Sequence, residues 1–458
     1  MTSFLFIFLL IIAVISVASY YLRRGHVPGV VTAMLIGIIV GKHSIFLPSN
    51  FDLIDRLNRL IGGNYPTVRL YSVLDALGQL GLIFLMALAG MDVSLRLLRA
   101  AKRAVITLSV FTFALPATMG YCVYSLFYPD DTLGKWTAAA IFASHSIDLV
   151  LPVIRELKIA ATRFGVAVLT ATIVTDVSSL VLFAVCVQLQ RRNLLEDFSA
   201  NAGGISLFDH FNTAPLGNGF IPLFVALVLL FIVLALWLVP KVAKHITEQV
   251  SAADDLRLTF FLVVVLAVVF IGEVVGVNPI VGAFIAGMAI VQAPGFHDHG
   301  RIIFKKMEGI GYGLIIPITF FNIGLQTDLR ILTTAWSNVN IVLAVVGGLV
   351  ASKLLSGYLA MWLSGFSKRK ALCAGLMTVP QLSATIAAAE VAKQMQIIPP
   401  EFFNAIIVLS VVTTIPTPSV VKWLIVKSKI KFDTADNEVI PLACDLVPGG
   451  EAPLKIKN

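Results

Sequence analysis

The chain has 458 residues, 58% of them hydrophobic and only 13% charged, with a formal charge of +8 and a mean hydropathy of +0.92. Globular chains carry about 25% charged residues, so this composition excludes a soluble protein. The apolar runs are continuous rather than alternating, which excludes an outer-membrane barrel and leaves an all-α polytopic membrane protein.

In chain order, apolar runs long enough to span a bilayer occur near 2–22, 27–41, 72–91, 104–128, 135–154, 164–189, 217–240, 257–276, 278–296, 311–327, 335–364, 371–392 and 402–426. The reading is therefore about thirteen transmembrane helices. The second run is short, and only the turn at Val277–Pro279 separates the eighth from the ninth. The first run begins almost at Met1 with no basic residue ahead of it, and Arg23 and Arg24 follow without a small-residue cleavage site. It reads as a retained span with its amino end outside. In that orientation the cytoplasmic segments hold 24 Lys and Arg, the outer segments 9, and Lys353 lies inside a run. The bias places the carboxyl terminus in the cytoplasm and the protein in the cell membrane, among lipid. It also accounts for the positive charge without nucleic acid as a partner.

Cys122, Cys186, Cys373 and Cys444 are scattered, with no C-x-x-C pair, so neither a disulfide framework nor a zinc site is expected. No cofactor is expected either. Residues 427–458 form a short polar tail behind a transmembrane domain at 1–426, and no G-x-G-x-x-G fingerprint follows a strand.

Several ionisable groups lie at membrane depth. Asp176 sits in Thr170–Leu182 (TATIVTDVSSLVL), mid-run, roughly 18 Å from either end of a helix at 1.5 Å per residue. A hydrocarbon core is about 30 Å thick, so the carboxylate lies near its midplane, where ionisable groups mark ion pathways. Lys353 is about twelve residues into its own run, too deep for ready snorkelling. A buried acid and a buried base are each costly alone, so the two are expected to face a common cavity. His145, Ser146 and Asp148 lie in Ala143–Pro152 (ASHSIDLVLP), a polar, proline-ended stretch expected to unwind or kink. His145 either titrates beside an ion path or is a hydrogen-bonded packing histidine. Asp148 either lines the path or caps the broken helix. Gln381 and Ser383 lie in Met377–Ile386 (MTVPQLSATI), interrupted in the same way seven spans later. An odd separation means that the two broken helices run in opposite directions. Interrupted helices at corresponding places of inverted repeats point to the binding site of a secondary transporter. Glu273 is near the outer end of the eighth span, with structural and gating roles open, and Glu390 is read as structural.

Four motifs in order resemble a known family along about 5–427: Pro28–Gly41 (PGVVTAMLIGIIVG), Leu77–Asp92 (LGQLGLIFLMALAGMD), Gly276–Gly287 (GVNPIVGAFIAG) and Pro317–Asp328 (PITFFNIGLQTD), with Arg155-Glu156-Leu157 behind the broken fifth span. The family is the monovalent cation:proton antiporters, in the branch with bacterial sodium/proton exchangers and potassium-efflux antiporters. The resemblance implies the sodium/proton antiporter fold, a homodimer, a mobile core (about 104–189 and 335–426) and a scaffold (about 2–91 and 217–327). It implies exchange of Na+ or K+ for H+ by alternating access, with a role in pH homeostasis. Asp176 falls on the family's ion-binding aspartate and Lys353 on its core lysine; beside this, the chemistry of a hard oxygen site leads one to expect the Thr175 hydroxyl as a further ligand next to Asp176. His145, Ser146, Gln381 and Ser383 fall at the crossing of the broken helices. In electrogenic members an acid precedes the aspartate and pairs with the lysine. Thr175 stands in its place here, so the resemblance implies electroneutral exchange, with Asp176 or Asp148 as the expected partner of Lys353. The rival readings are a proton-independent cation channel and an intramembrane aspartyl protease using Asp148 and Asp176. The protease's G-x-G-D motif is missing, and no enzymatic activity is expected.

Overall fold

The computed structural model describes residues 2–22, 29–41, 56, 67–91, 102–145, 150, 154, 159, 162–197, 207, 219–249, 254–292, 306–328, 330 and 336–427. In chain order the helices are α1 (Thr2–Leu22), α2 (Gly29–Val40), α3 (Thr67–Met91), α4 (Lys102–Phe127), α5 (Thr132–Ala143), α6 (Arg163–Asp197), α7 (Phe220–Gln249) and α8 (Asp254–Val274). There follow α9 (Pro279–Val291), a π-helical turn (Gly311–Ile315) running into α10 (Ile316–Gln326), α11 (Trp336–Leu363), α12 (Lys368–Met377), α13 (Ser383–Gln394), α14 (Pro400–Thr414) and α15 (Pro416–Lys427).

Among the described residues, seven helices are long and apolar enough to cross a membrane, and four shorter apolar helices accompany them. Exposed Leu, Val, Ile, Phe and Trp side chains cover the outer faces of α1, α7 and α8, as a lipid-facing surface requires. Several helix starts follow from local chemistry. The Asp131 side chain accepts from the Gly134 N–H (2.8 Å) to cap α5, and also from the Tyr124 hydroxyl at the end of α4 (2.7 Å). Asn278 caps α9 ahead of Pro279, a residue whose missing N–H costs nothing in the first turn.

The packing repeats itself under an internal two-fold operation. α2 lies against α10 while α3 lies against α9; α4 packs on α5 and α6 as α11 packs on α12 and α14; and α4 and α11 pack on each other. Exchanging α2 with α9, α3 with α10 and α4 with α11 maps each contact onto another. This is the inverted repeat expected from the seven-span spacing. The close crossings use small residues. A Cβ on Gly37 would fall 2.2 Å from the Phe321 carbonyl oxygen, and one on Gly287 would fall 1.9 Å from that of Ala87. At these two positions only hydrogen allows the backbones to approach so closely. Gly37 in α2 and Gly41 just beyond its end, one turn apart, thus form the seat of α10.

Both expected interruptions are present. α5 stops at Ala143, and Ser144 turns to extended backbone (ψ 163°). α12 stops at Met377, residues 378–382 are not helical, and α13 resumes at Ser383. Pro380 has no N–H for the helical ladder and its ring would clash one turn back, which accounts for the second break.

Candidate functional site

The two breaks meet. When α5 ends, its last carbonyls lose their helical partners, and the helix dipole leaves partial negative charge there. Lys353, fully buried on α11, supplies the compensation. Its ammonium donates to the Ala143 carbonyl (3.0 Å) and the Ser144 carbonyl (2.6 Å). The Lys353 carbonyl in turn accepts from the hydroxyls of Ser356 (3.0 Å) and Thr378 (3.3 Å), which ties α11 to the end of α12.

Gln381, in the second break, holds the same place from the other side. Its amide donates to the Ser144 carbonyl (3.0 Å), its side-chain oxygen accepts from the hydroxyls of Ser144 (3.3 Å) and Thr385, and those two hydroxyls lie 2.8 Å apart. The backbone of Gln381 bonds to α14, its N–H donating to Thr413 (3.4 Å) and its carbonyl accepting from Thr414 (3.4 Å). The side chain of this residue fixes the crossing, and its backbone ties the break to α14.

Asp176 approaches from α6, only 4% exposed. Its Oδ1 accepts the His145 backbone N–H at 2.7 Å. That N–H belongs to the peptide unit whose carbonyl, Ser144, receives Lys353 and Gln381. One peptide group therefore stands between the ammonium and the carboxylate, positive charge at its oxygen and negative charge at its N–H. Donors on the carbonyl polarise the unit and strengthen its N–H as a donor. Thr175, fully buried, bonds within its own helix to the carbonyls of Ala171 (2.7 Å) and Thr172 (3.0 Å), and its oxygen lies 2.9 Å from His145 Nδ1.

The structure thus brings Asp176, Thr175, His145, Lys353 and Gln381 together, with Ser383 buried at the first position of α13. Ser146 and Asp148 lie outside the described residues. Glu273 is half-buried at the end of α8, a helix that packs on α7 and α9. Glu390, read as structural from the sequence, is buried at 2% exposure on α13, a helix that packs against α3, α5, α6 and α14. Sequence reasoning missed Ser144, Thr385, Thr413 and Thr414. Thr385 could have been found, four residues after Gln381 and therefore on the same side of a helix.

A family model described as sodium/hydrogen exchanger, transmembrane, matches residues 8–427. The chain is 30% identical over 426 residues to "Probable Na(+)/H(+) antiporter 3" of Methanocaldococcus jannaschii, covering 93% of this chain and 98% of that one. It is 28% identical over 406 residues to "Na(+)/H(+) antiporter NhaS5" of Synechocystis, covering 86% of this chain and 51% of that one, so it spans about half of that protein. Among solved structures it matches the sodium proton antiporter MjNhaP1 of Methanocaldococcus jannaschii with a TM-score of 0.62 at 16% identity, over 93% of this chain and 98% of that one; this is a likeness of fold.

Proposed function

Because the chain belongs to the sodium/hydrogen exchanger family, we propose that it is a secondary transporter exchanging a monovalent cation, Na+ or K+, for H+ by alternating access. The observation that carries the reading is Asp176, a carboxylate buried mid-span at the meeting point of two broken helices and held by a backbone N–H.

The mechanism needs this one carboxylate. Ionised, it is a hard oxygen ligand for a small cation; protonated, it is neutral. Cation and proton compete for the same oxygens, and either one removes the net charge that the midplane penalises. The loaded or protonated core crosses between the two faces while the bare carboxylate is held back, and that competition is antiport. In this reading α4–α6 and α11–α15 form the moving core, and α1–α3 and α7–α10 the scaffold and dimer surface, in the cell membrane with the amino terminus outside. The opposing dispositions of Lys353 and Asp176 about one peptide keep the site in register as the core moves.

Thr175 then has a positioning role. Its oxygen is engaged by two carbonyls and His145, so it orients the segment that donates to Asp176 rather than offering a free ligand position. Lys353 takes the carbonyls of Ala143 and Ser144, which stand in for the acid that the resemblance leads one to expect before Asp176. With that acid absent, one carboxylate exchanges one cation for one proton, and the exchange is electroneutral. A channel would not need a titratable group buried where the two broken helices meet, and Asp176 favours coupling.

The test is proton efflux from acid-loaded proteoliposomes containing the purified chain, with Na+, K+ and Li+ added in turn. Alkalinisation driven by at least one of these cations is expected. Cation flux with no proton movement would support a channel instead.

A further inference from the structure

A second polar cluster, distant in sequence from the Asp176 site, joins the two groups of helices. Asp75 on α3 accepts from the amides of Asn322 (2.9 Å) and Gln326 (2.9 Å) on α10. The Gln326 side-chain oxygen accepts from the Lys393 ammonium on α13 at 2.9 Å. Lys393 also stands 3.8 Å from Glu390 Oε2 and 4.3 Å from the centre of the Phe403 ring on α14. Glu390 Oε1 accepts from Gln394 (3.0 Å), whereas its Oε2, buried, has no hydrogen-bond partner. Beside this, the Asn404 amide on α14 donates to the Asp328 carbonyl just beyond α10 (2.8 Å) and its oxygen accepts the Asp328 N–H (3.3 Å).

These bonds share one location. Asp75 is in the first half of α3, Gln326 ends α10, Lys393 is in the last turn of α13 and Asn404 is in the first turns of α14. By the charge bias, all four ends face outward. The bonded side chains cross between the proposed scaffold (α3, α10) and the proposed core (α13, α14). None of them belongs to the peptide-centred site.

We propose that Lys393, Gln326 and Asp75 form a latch that holds core to scaffold at the outer face and opens when the site turns outward. The inference rests on the alternating-access reading above. Its chemistry suits a contact that breaks every cycle. Gln326 is amphoteric, donating to Asp75 and accepting from Lys393, so the scaffold side is a neutral relay between two charges. On opening, Lys393 retains Glu390 on its own helix, and Asp75 retains Asn322 on the scaffold. Neither charge is stranded, which keeps the opening cost modest. The unbonded Oε2 of Glu390 is the acceptor to which Lys393 turns when Gln326 leaves.

The test is the distance between spin labels at Val73 on α3 and Gln396 beyond α13, both exposed, in the full chain in lipid vesicles. Lys393→Met and Gln326→Leu are expected to raise the ratio of the longer-distance to the shorter-distance population roughly three- to tenfold, the factor for losing one partly exposed charge-assisted hydrogen bond. Lys393→Arg is expected to preserve the unsubstituted distribution. Asp75→Asn, at an exposed position, serves if either of the first two fails to fold, with a smaller shift in the same direction. Unchanged distributions in the folded variants, or a shift toward shorter distances, would overturn the latch. The readout requires no transport, so the same measurement in the Asp176→Asn chain separates a failed latch from a failed antiport assignment.

Discussion

At the scale of the residue, a single peptide group links the buried acid and the buried base of the site. Lys353 and Gln381 converge on the Ser144 carbonyl, and Asp176 on the His145 N–H that is covalently part of the same unit. Replacing Lys353 by Met keeps most of the apolar stem but leaves the two buried carbonyls at the end of α5 without its ammonium. The expected cost is about 1–3 kcal/mol, read as a lowered midpoint in thermal unfolding of the purified protein. Thr175→Val removes the oxygen beside His145 Nδ1 and is expected to cost a similar amount, whereas Thr175→Ser should unfold near the unsubstituted midpoint. Equal behaviour of Val and Ser at this position would show that the hydroxyl does nothing for His145. Asp176 and Lys353 were legible in the sequence because charge in mid-run is rare and costly. The partner of Lys353 was not, because a backbone carbonyl has no letter of its own. Only the three-dimensional end of α5 puts two of them within reach of an ammonium more than two hundred residues away.

At the scale of the element, two kinds of position decide the architecture: breaks and close crossings. Both breaks were legible as polar stretches interrupting apolar runs, and at the second Pro380 lies within the break itself. The clamp across them was not, because Ser144, Thr385, Thr413 and Thr414 look like ordinary hydroxyls of membrane helices until the two segments are brought together. The crossings are likewise ambiguous in sequence, where glycine spacings are common by chance. Gly287→Ala would put a methyl 1.9 Å from the Ala87 carbonyl oxygen on α3, and a backbone atom cannot step aside as a flexible side chain can. Gly347 on α11 faces open space. Gly287→Ala is therefore expected to reduce the yield of monodisperse protein and to lower the unfolding midpoint, while Gly347→Ala should change stability by less than about 1 kcal/mol. Size-exclusion profiles and thermal unfolding of the two variants, side by side, check this.

At the scale of the whole molecule, the seven-span separation of the broken helices already implied an inverted repeat, and the packing carries it through: α2 with α10, α3 with α9, α4 with α11. Which helix pairs with which could not be read from hydropathy, because lipid-facing and protein-facing surfaces of membrane helices are similarly apolar. The same architecture sets the charge carried per cycle. In the proposed cycle Asp176 is the one acid that loads and unloads, while Lys353 keeps its carbonyl partners within the same core. An imposed membrane potential is therefore expected to leave the exchange rate almost unchanged, and a cation gradient alone should drive no net current across a reconstituted membrane. Strong voltage dependence would place a second titrating group in the cycle.

The central claim is that one buried carboxylate serves both ions, and Asp176→Asn in proteoliposomes tests it most directly. The amide preserves the shape of the side chain and accepts the His145 N–H through its oxygen, so the variant is expected to fold and reconstitute as the unsubstituted chain does. The account predicts that this variant shows no cation-driven proton efflux at any pH. Sustained, pH-dependent cation/proton exchange by the folded Asp176→Asn protein would contradict it.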